Sequence, residues 1–480
     1  MFAIAKLSPL AFLVGVAIAP GAYAQSLAPQ QRLAREIFQE LVDINTTDSA
    51  GSTTLAAEAM ARRLRDAGFP AEDIHVLGPE PRKGNLVARL RGSGARRPLL
   101  LLAHLDVVEA KREDWSFDPF KFAEQDGYFL GRGTADDKAM AAIFVANLIR
   151  YKQEKFVPDR DIILALTADE EMGDVPTNGV DWLLKSHRNL LDAELALNEG
   201  GGVSLRDGKP VVSRLQVSEK ISVMYRLEVK NPGGHSAAPT RDNAIYRLAE
   251  GLARLAKHAF PVKLTEATRA FFERMAGLES GQDAEDMRAI ARDPWDTSAA
   301  SRLSTRPSYN AQLRTTCVAT RFDAGIAKNA LPPLARATVN CRVLPGESVP
   351  EVQRTLTNVL GDDKIAVIQM EDYTLSPPSP LRPDIVQTIE RLTAEFWPGA
   401  PLVPVMSTGA TDSRFLRNAG IAAYGHSGLA AESFDNRAHG KDERLAVKSF
   451  FDGLGYQYRL VKALSSGDNK TMPQSSLEAQ

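Results

Sequence analysis

Hydrophobic and polar positions follow two different periods along the first half of the chain. Helical spacing of apolar residues occurs over Gln31 to Val42 and again over Thr54 to Ala67. Aliphatic runs flanked by polar or glycine-containing turns then predict buried strands. These strands are Leu86 to Leu90, Leu99 to Ala103, Ile162 to Thr167 and Glu194 to Leu197, and a helix is predicted over Ala139 to Tyr151. Such alternation predicts an α/β domain with a mostly parallel central sheet.

The pattern changes near Leu215, where alternating strands begin. The strands are predicted within Val217 to Lys230 and Gln312 to Leu344, and the helices over Asn243 to Lys257 and Val349 to Leu360. This mixture predicts a smaller α+β domain, residues 215–378, inserted into the first one. Within it, the polar and charged segment Lys263 to Ser308 fits either a helical flap or a surface excursion.

The first domain resumes after the insertion. A helical pattern over Ile385 to Phe396 and a strand over Ile421 to Tyr424 return to it. The domain therefore consists of residues 25–214 and 379–465. The polar residues 466–480 are expected to form a disordered tail.

Composition restricts the class of protein. The chain has 480 residues, 44% hydrophobic and 25% charged, which excludes a disordered chain, a collagen and a membrane channel. With 58 Lys and Arg against 60 Asp and Glu, the net charge is −2, so no global field attracts nucleic acid or anionic lipid. A small-molecule or locally recognised partner is expected.

The first 24 residues predict an export signal. Lys6 provides the positive end, Leu10 to Ala19 the apolar core, and Ala22-Tyr23-Ala24 the cleavage motif. A membrane anchor is the alternative, but the apolar run is about half of the ~20 residues that span a bilayer, and Pro20 ends it. The mature protein is expected to begin at Gln25 and to be secreted or periplasmic.

The two cysteines, Cys317 and Cys341, lie in two runs predicted to be β strands. They could face each other across a hairpin and form a disulfide, which export would permit. Two buried thiols are an equally good interpretation. The spacing does not match a zinc finger.

Acidic and imidazole side chains follow three of the predicted strands directly. His104 and Asp106 come after the second strand, Asp169-Glu170-Glu171 after the third, and Asn198-Glu199-Gly200-Gly201 after the fourth; Asp136-Asp137 precedes a helix. In open α/β sheets ligands bind beyond the carboxyl ends of the strands, so these clusters should converge. Each cluster alone is more often a solvated loop, and only their joint occurrence favours a site.

Several carboxylates in one crevice would repel each other unless a cation neutralised them. Imidazole with carboxylate and no thiolate is typical of Zn²⁺, with Mn²⁺ or Co²⁺ as possible substitutes. Two ions bridged by one carboxylate would use this many ligands. Other catalytic motifs are missing from the sequence, since it has no H-E-x-x-H helix and no G-x-S-x-G elbow.

The order of the motifs resembles the M20 family of dizinc peptidases and acylases, which includes enzymes similar to carboxypeptidase G2, carboxypeptidase S and aminoacylase-1. The motifs are His104-Leu105-Asp106-Val107-Val108, Gly131-Arg132-Gly133-Thr134-Ala135-Asp136-Asp137-Lys138, Glu170-Glu171, Asn198-Glu199-Gly200-Gly201 and Ala438-His439-Gly440-Lys441-Asp442-Glu443-Arg444. The resemblance covers essentially the mature chain. It implies a zinc-exopeptidase-like catalytic domain with an inserted ferredoxin-like lid and dimerisation domain.

The resemblance also implies a role for each site residue. Asp136 would bridge two zinc ions, His104 and Glu199 would complete one site, and Glu171 and His439 the other. Glu170 would be the general base, taking a proton from the metal-bridging water and returning it to the leaving amine. Asp106 would orient the His104 imidazole. A cis peptide is expected after Asp136.

Three further residues have roles implied by weaker motifs. His235, in Asn231-Pro232-Gly233-Gly234-His235-Ser236, matches a histidine that stabilises the oxyanion, commonly from the partner subunit of a homodimer. Arg414, in Gly409-Ala410-Thr411-Asp412-Ser413-Arg414, is a candidate for the substrate carboxylate. Asn329 matches a lid residue that contacts the substrate.

The leading hypothesis is an exported dizinc hydrolase of small peptides, of the carboxypeptidase or dipeptidase type. A deacylase of N-acyl amino acids is the alternative within the same class. From another class, a catalytically silent periplasmic peptide-binding protein would be expected to have lost Glu170 or a metal ligand, and this sequence keeps them all.

Overall fold

The computed structural model describes residues 27–435 and 437–466. The predicted export signal and nearly all of the predicted tail lie outside these residues. In chain order the strands are β1 (Ile74–Leu77), β2 (Asn85–Leu90), β3 (Leu99–His104), β4 (Ala123–Gln125), β5 (Tyr128–Leu130), β6 (Ile162–Thr167), β7 (Leu195–Asn198), β8 (Gly202–Arg206), β9 (Lys209–Glu219), β10 (Ile221–Lys230), β11 (Gly234–His235), β12 (Thr316–Ala324), β13 (Ala330–Leu331), β14 (Leu334–Val343), β15 (Ile365–Gln369), β16 (Leu402–Ser407), β17 (Ala422–Gly425), β18 (Ala430–Glu432) and β19 (Arg444–Ala446).

The helices connect and cover these strands. They are α1 (Pro29–Asp43), α2 (Thr53–Asp66), α3 (Lys138–Gln153), α4 (Gly179–Ser186), α5 (Arg188–Leu191), α6 (Ala244–Lys257), α7 (Glu266–Met275), α8 (Gly281–Arg292), α9 (Thr297–Leu303), α10 (Pro307–Leu313), α11 (Val349–Leu360), α12 (Pro383–Phe396), α13 (Ser413–Asn418) and α14 (Val447–Leu464). Among the described residues, none of the helices is long and apolar enough to cross a membrane.

A large mixed sheet forms the body of the molecule. Its strand order is β1-β2-β6-β3-β7-β17-β9-β8-β18, with β16 pairing beside β9. The central strands β6, β3, β7 and β17 are parallel, as the sequence predicts, while β1, β2 and the β8–β9 pair run antiparallel at the flanks. All six residues of β3 are buried, because helices cover both faces of the sheet.

The two faces of this sheet carry separate cores. On one face α1, α2, α3, α12 and α14 enclose the larger core, in which Phe38 stacks on Phe450 with ring centroids 4.7 Å apart. On the other face α4, α5 and α13 cover Leu100, Leu102 and Ile163. The last helix thus packs against the first, so the two ends of the described chain belong to one core.

The smaller domain is a four-stranded antiparallel sheet in the order β12-β14-β10-β15. With α6 after β10 and α11 before β15, its β-α-β-β-α-β order is ferredoxin-like. The chain crosses from the large sheet to the small one at Lys220, so the expected boundary at 215 falls inside β9. β9 and β10, predicted as one strand region, belong to two different sheets.

Helices α7 to α10 form the segment for which the sequence left two interpretations. They follow α6 in the chain, yet they pack on the large sheet: Phe272 and Leu313 share a core with Val212 of β9 and Val403 of β16. The segment is therefore a helical layer on the large sheet. We call residues 266–313 the helical insert.

Cys317 and Cys341 are direct partners in the antiparallel register of β12 and β14 and form a disulfide. The alternative of two free thiols is therefore wrong. The bond ties the edge strand of the small sheet to its neighbour.

Candidate dinuclear metal site

Three adjacent parallel strands bring the predicted chemistry to one edge of the large sheet. β3 lies between β6 and β7, and His104 at the end of β3 is in register with Thr167 at the end of β6. Glu170 follows β6 and Glu199 follows β7, so the carboxyl ends of the three strands deliver them to the same place.

All five residues predicted as metal ligands meet there, in two groups that share Asp136. One group is His104, Asp136 and Glu199, the other Asp136, Glu171 and His439, and the ligand atoms within each group lie within 4.8 Å of one another. Asp136 presents one oxygen to each: Oδ1 is 3.0 Å from His104 Nε2, and Oδ2 is 3.2 Å from His439 Nε2. This is the arrangement expected of a bridging carboxylate.

The donor set fits a pair of divalent cations. Each group supplies one imidazole nitrogen and two carboxylates, the ligand types that Zn²⁺ takes in hydrolases. Burial, followed by the charges of Glu170 and Asp136, raises the pKa of Glu199 well above its usual range. A cation is what allows these carboxylates to be ionised together.

A buried carboxylate shapes the loop that carries Asp136. Glu443 is fully buried and accepts hydrogen bonds from the backbone N–H groups of Gly133, Ala135 and Asp136 at 3.1, 2.6 and 3.1 Å. Its other contact is an ion pair with Arg132 at 2.6 Å. The loop then passes through a cis peptide between Asp136 and Asp137, as the resemblance implies.

Arg132 also links this loop to the one that carries His439. Its Nη2 donates to the Gly440 carbonyl at 2.9 Å, and its guanidinium lies 4.8 Å from the Trp115 ring centroid. Glu443 and Arg132 belong to the sequence motifs, but no role for either was predicted. Their contact spans 311 residues, so only the fold reveals it.

Asp106 holds the turn that carries Glu170 and Glu171. Its carboxylate accepts hydrogen bonds from both backbone N–H groups, at 3.2 and 3.0 Å. The His104 Nδ1 atom pairs with the backbone carbonyl of Asp106 at 3.0 Å, whereas the carboxylate is 3.6 Å away. The imidazole is thus oriented mainly by the main chain of Asp106.

Behind this turn, a lysine that the sequence analysis did not single out fixes Asp169. Lys83 Nζ lies 2.6 Å from Asp169 Oδ1 and 2.6 Å from Asp48 Oδ1. Asp169 has a φ of 60°, in the left-handed region, and Asn178 donates to its carbonyl at 3.2 Å. Both partners come from other elements, so no local signal marks them.

The charges of the same site act on the carboxyl group of Glu170. Burial raises the pKa of its carboxyl well above the usual range; the charge of His104 opposes this increase, and those of Asp412 and Glu171 add to it. A carboxyl with such a pKa can accept a proton and return it.

Arg414 is buried, and its guanidinium is already engaged by other residues. Its Nε lies 3.0 Å from Asp174 Oδ1 and its Nη1 donates to the Thr411 carbonyl at 2.7 Å. It is 5% exposed, and the charges that act on it include those of Asp412, Asp174 and Glu170. Through Asp174, Arg414 is tied to the segment that follows Glu170 and Glu171, in an ion pair that a substrate carboxylate would have to share or displace.

His235 and Asn329 occupy a different place. Both are exposed on the ribbon of β11 and β13, where Ser236 N–H donates to the Asn329 carbonyl at 3.0 Å. Within the described residues of this single chain, the recorded polar contacts of His235 are on the ribbon itself and none reaches the metal residues. The two predicted lid residues therefore lie near each other on this ribbon.

The parallel sheet, its two groups of metal ligands and its inserted ferredoxin-like domain define an α/β metal-dependent hydrolase. The chain belongs to Peptidase family M20/M25/M40, whose sequence profile matches residues 100–463. The resemblance inferred from the motifs is thereby confirmed, and the protein is a metal-dependent amide hydrolase.

Relatives with assigned names include both peptidases and acylases. The chain is 30% identical over 376 residues to human N-fatty-acyl-amino acid synthase/hydrolase PM20D1, which covers 76% of this chain and 74% of that protein. It is also 30% identical to the probable carboxypeptidase S-like 2 of Dictyostelium discoideum, over 76% of this chain and 71% of that one.

Solved structures share the fold. The M20 family metallo-carboxypeptidase Sso-CP2 from Sulfolobus solfataricus superposes with a TM-score of 0.67 at 16% identity, covering 90% of this chain and 98% of that one. Human carnosine dipeptidase 1 superposes with a TM-score of 0.63 at 14% identity, covering 92% and 99%.

Proposed function

We propose that the protein hydrolyses the amide bond of small peptides or N-acyl amino acids at a site with two Zn²⁺ ions, Glu170 serving as general base. The observation that carries this proposal is Asp136, whose two oxygens face one donor group each. When bound, the ions would polarise the scissile carbonyl and lower the pKa of water at the site. His104, Asp136, Glu171, Glu199 and His439 would hold them.

Glu170 would supply the proton transfers. It is not in either ligand group, yet its backbone is held to Asp106 at 3.2 Å, one residue before the ligand Glu171. Its Oε atoms would take a proton from the attacking water and deliver it to the nitrogen of the departing amine. The raised pKa suits it to both steps.

The test is Glu170→Gln in the metal-loaded enzyme, which keeps the size of the side chain but removes the base. Turnover should fall by about 10²–10⁴, the usual contribution of general base catalysis. Metal content by mass spectrometry should stay near two ions per chain. Glu250→Gln, an exposed position on α6, is the matched control and should keep full activity. Undiminished turnover of the Glu170 variant would contradict the assignment.

An exopeptidase acting on a free C-terminal carboxylate is our leading substrate class, and the buried Arg414, ion-paired to Asp174 four residues after Glu170, is the candidate that would hold this carboxylate. A deacylase of N-acyl amino acids is the second candidate, and the 30% identity to an N-fatty-acyl-amino acid synthase/hydrolase favours it. Both substrates present a carboxylate next to the scissile amide. Rates of amine release from dipeptides and from N-acyl amino acids, measured side by side, distinguish the two.

We also propose that the protein is exported and begins at Gln25. The disulfide between Cys317 and Cys341 supports this, since disulfides persist mainly in oxidising compartments. Mass spectrometry of the protein from a native host fraction should find Gln25 at the amino terminus. An intact Met1 on cytoplasmic protein would contradict export.

A further inference from the structure

A cavity of about 440 Å³ lies where the small domain meets the helical insert. Its walls come from the end of α6, the end of α10 and the beginning of β12. Most of the wall is apolar, formed by Leu252, Leu255, Ala256, Ala259, Phe260 and Val318. The volume is within the range of small-ligand sites. None of the lining residues belongs to the metal site.

One cation lines this cavity without a counter-ion. Arg314 is only 9% exposed; its Nη1 donates to the Phe260 carbonyl at 3.2 Å and its Nη2 to Ser304 Oγ at 3.0 Å. Its Nε has no hydrogen-bond partner, and no carboxylate among the described residues forms an ion pair with it. A buried guanidinium usually has a carboxylate opposite it, because desolvating an unpaired charge is costly.

Two further nitrogen groups belong to the surroundings of Arg314, from Lys220 and His258. The Nζ of Lys220, a buried residue, donates to the Arg314 carbonyl at 2.7 Å, and burial lowers the pKa of this amine to about 7. The Nε2 atom of His258, another lining residue, is buried and has no partner. The acid whose charge reaches Lys220 is Glu347, and it is already paired with Lys263 at 2.8 Å. Glu347 also accepts a hydrogen bond from the lining residue Thr315, so this acid is already engaged, and Arg314 has no paired carboxylate among the described residues.

We propose that this cavity binds a monocarboxylate with an apolar tail. The carboxylate would lie at Arg314 and His258, whose unpartnered nitrogens can donate to it, and the tail would lie along Leu252, Leu255 and Val318. An apolar wall with one guanidinium suits a carboxylate head and a hydrocarbon tail better than a phosphate, which recruits several donors.

The location gives such a ligand a structural role. α6 and β12 belong to the small domain, whereas Asn310 lies in the helical insert that packs on the large sheet and Arg314 directly follows this insert. A bound carboxylate touches both bodies near the crossing of the chain at Lys220. This proposal is independent of the substrate proposed for the metal site.

Calorimetric titration of the metal-loaded enzyme with sodium octanoate tests the proposal. Ala256→Phe fills the cavity from an exposed helix position, and Ala253→Phe adds the same ring to the same helix away from the cavity. We expect the first variant to lose one octanoate site per chain and the second to keep it, with hydrolytic activity unchanged in both. Octanoate bound at the metal ions would be unaffected by either variant. Equal binding by wild type and Ala256→Phe overturns the proposal.

The charge requirement is tested separately. Arg314→Gln should weaken octanoate binding at this site by about tenfold or more, the usual effect of losing a charge-assisted hydrogen bond. Octanol, which has the same tail, should bind at least about tenfold more weakly than octanoate to the wild-type enzyme. If octanol binds as tightly as octanoate, the cavity is an apolar groove and the proposed carboxylate site is wrong. The octanol comparison needs no variant and stands even if Arg314→Gln does not fold.

Discussion

Among single residues, Glu443 shows how one buried carboxylate can organise two groups of candidate metal ligands without belonging to either of them. Its carboxylate accepts hydrogen bonds from the backbone N–H groups of Gly133, Ala135 and Asp136, and it forms an ion pair with Arg132. Arg132 in turn donates to the main chain next to His439. The position of the Asp136 loop relative to the His439 loop therefore depends on a buried ion pair that belongs to neither group of ligands.

We predict that Glu443→Gln destabilises the protein and weakens metal binding. The glutamine leaves the Arg132 guanidinium buried without its charge partner, which costs about 3–5 kcal/mol of the free energy of unfolding. Chemical denaturation measures the stability, and dialysis against a chelator measures metal retention. Glu72→Gln, an exposed acid on the surface, should change neither quantity. Normal metal retention in the Glu443 variant would contradict the proposed link.

At the scale of elements, the end of β9 is joined to the loop that carries Arg414. Glu219, fully buried at the last position of β9, forms an ion pair with Arg417. It also accepts from Thr411 N–H at 2.8 Å and Thr411 Oγ1 at 2.9 Å. The next residue, Lys220, is where the chain crosses to the small domain. The crossing and the candidate substrate-binding loop are thus held by one side chain.

We predict that Glu219→Gln raises the KM for substrates with a free carboxylate by about tenfold and changes kcat less than twofold. The loop that positions Arg414 would lose its charged anchor, worth about 1.5–3 kcal/mol, while the metal residues stay in place. Steady-state kinetics on a dipeptide and on its C-terminal amide provide the comparison. A KM increase that is equal for both substrates would contradict the specific role in carboxylate binding.

The elements also show why some structure was predictable from sequence and some was not. β6 was predicted to the residue because an aliphatic run with polar ends has one interpretation. The break between β9 and β10 was not seen, because Glu219 and Lys220 are buried polar residues and no glycine or proline marks the crossing. α14 was not predicted either; it contains Gly453, where a Cβ would come within 2.7 Å of Leu429 Cδ2. There close packing outweighs helix propensity.

Across the fold as a whole, the five residues of the two candidate ligand groups were predictable because each lies in a short motif. The residues that support them were not predictable, because their contacts join distant parts of the sequence. Lys83 lies 86 residues from its partner Asp169, and Glu443 lies 307 or more residues from its partners in the Asp136 loop. The roles of His235 and Asn329 stay predictions. In this chain they lie on an exposed ribbon, and the predicted action of His235 from a partner subunit requires a second copy of the chain.

That requirement gives a test of the assembly. If His235 acts on the site of its partner subunit, Glu170→Gln and His235→Ala homodimers should each be nearly inactive. Subunit exchange between them would form heterodimers with one intact site and restore about a quarter of wild-type activity at equal mixing. The restored fraction follows from random pairing, in which half of the dimers have one working site out of two. No recovery in a mixture shown by native mass spectrometry to exchange subunits would contradict the role in trans.

The position of His439 in the chain also decides when the site can be completed during translation. Ribosomes make the chain from its amino end, so this histidine emerges hundreds of residues after its partners Asp136 and Glu171. A nascent polypeptide stalled or truncated before this point lacks one of the six donor positions. The candidate group of Asp136, Glu171 and His439 therefore cannot form until the chain has been made past residue 439.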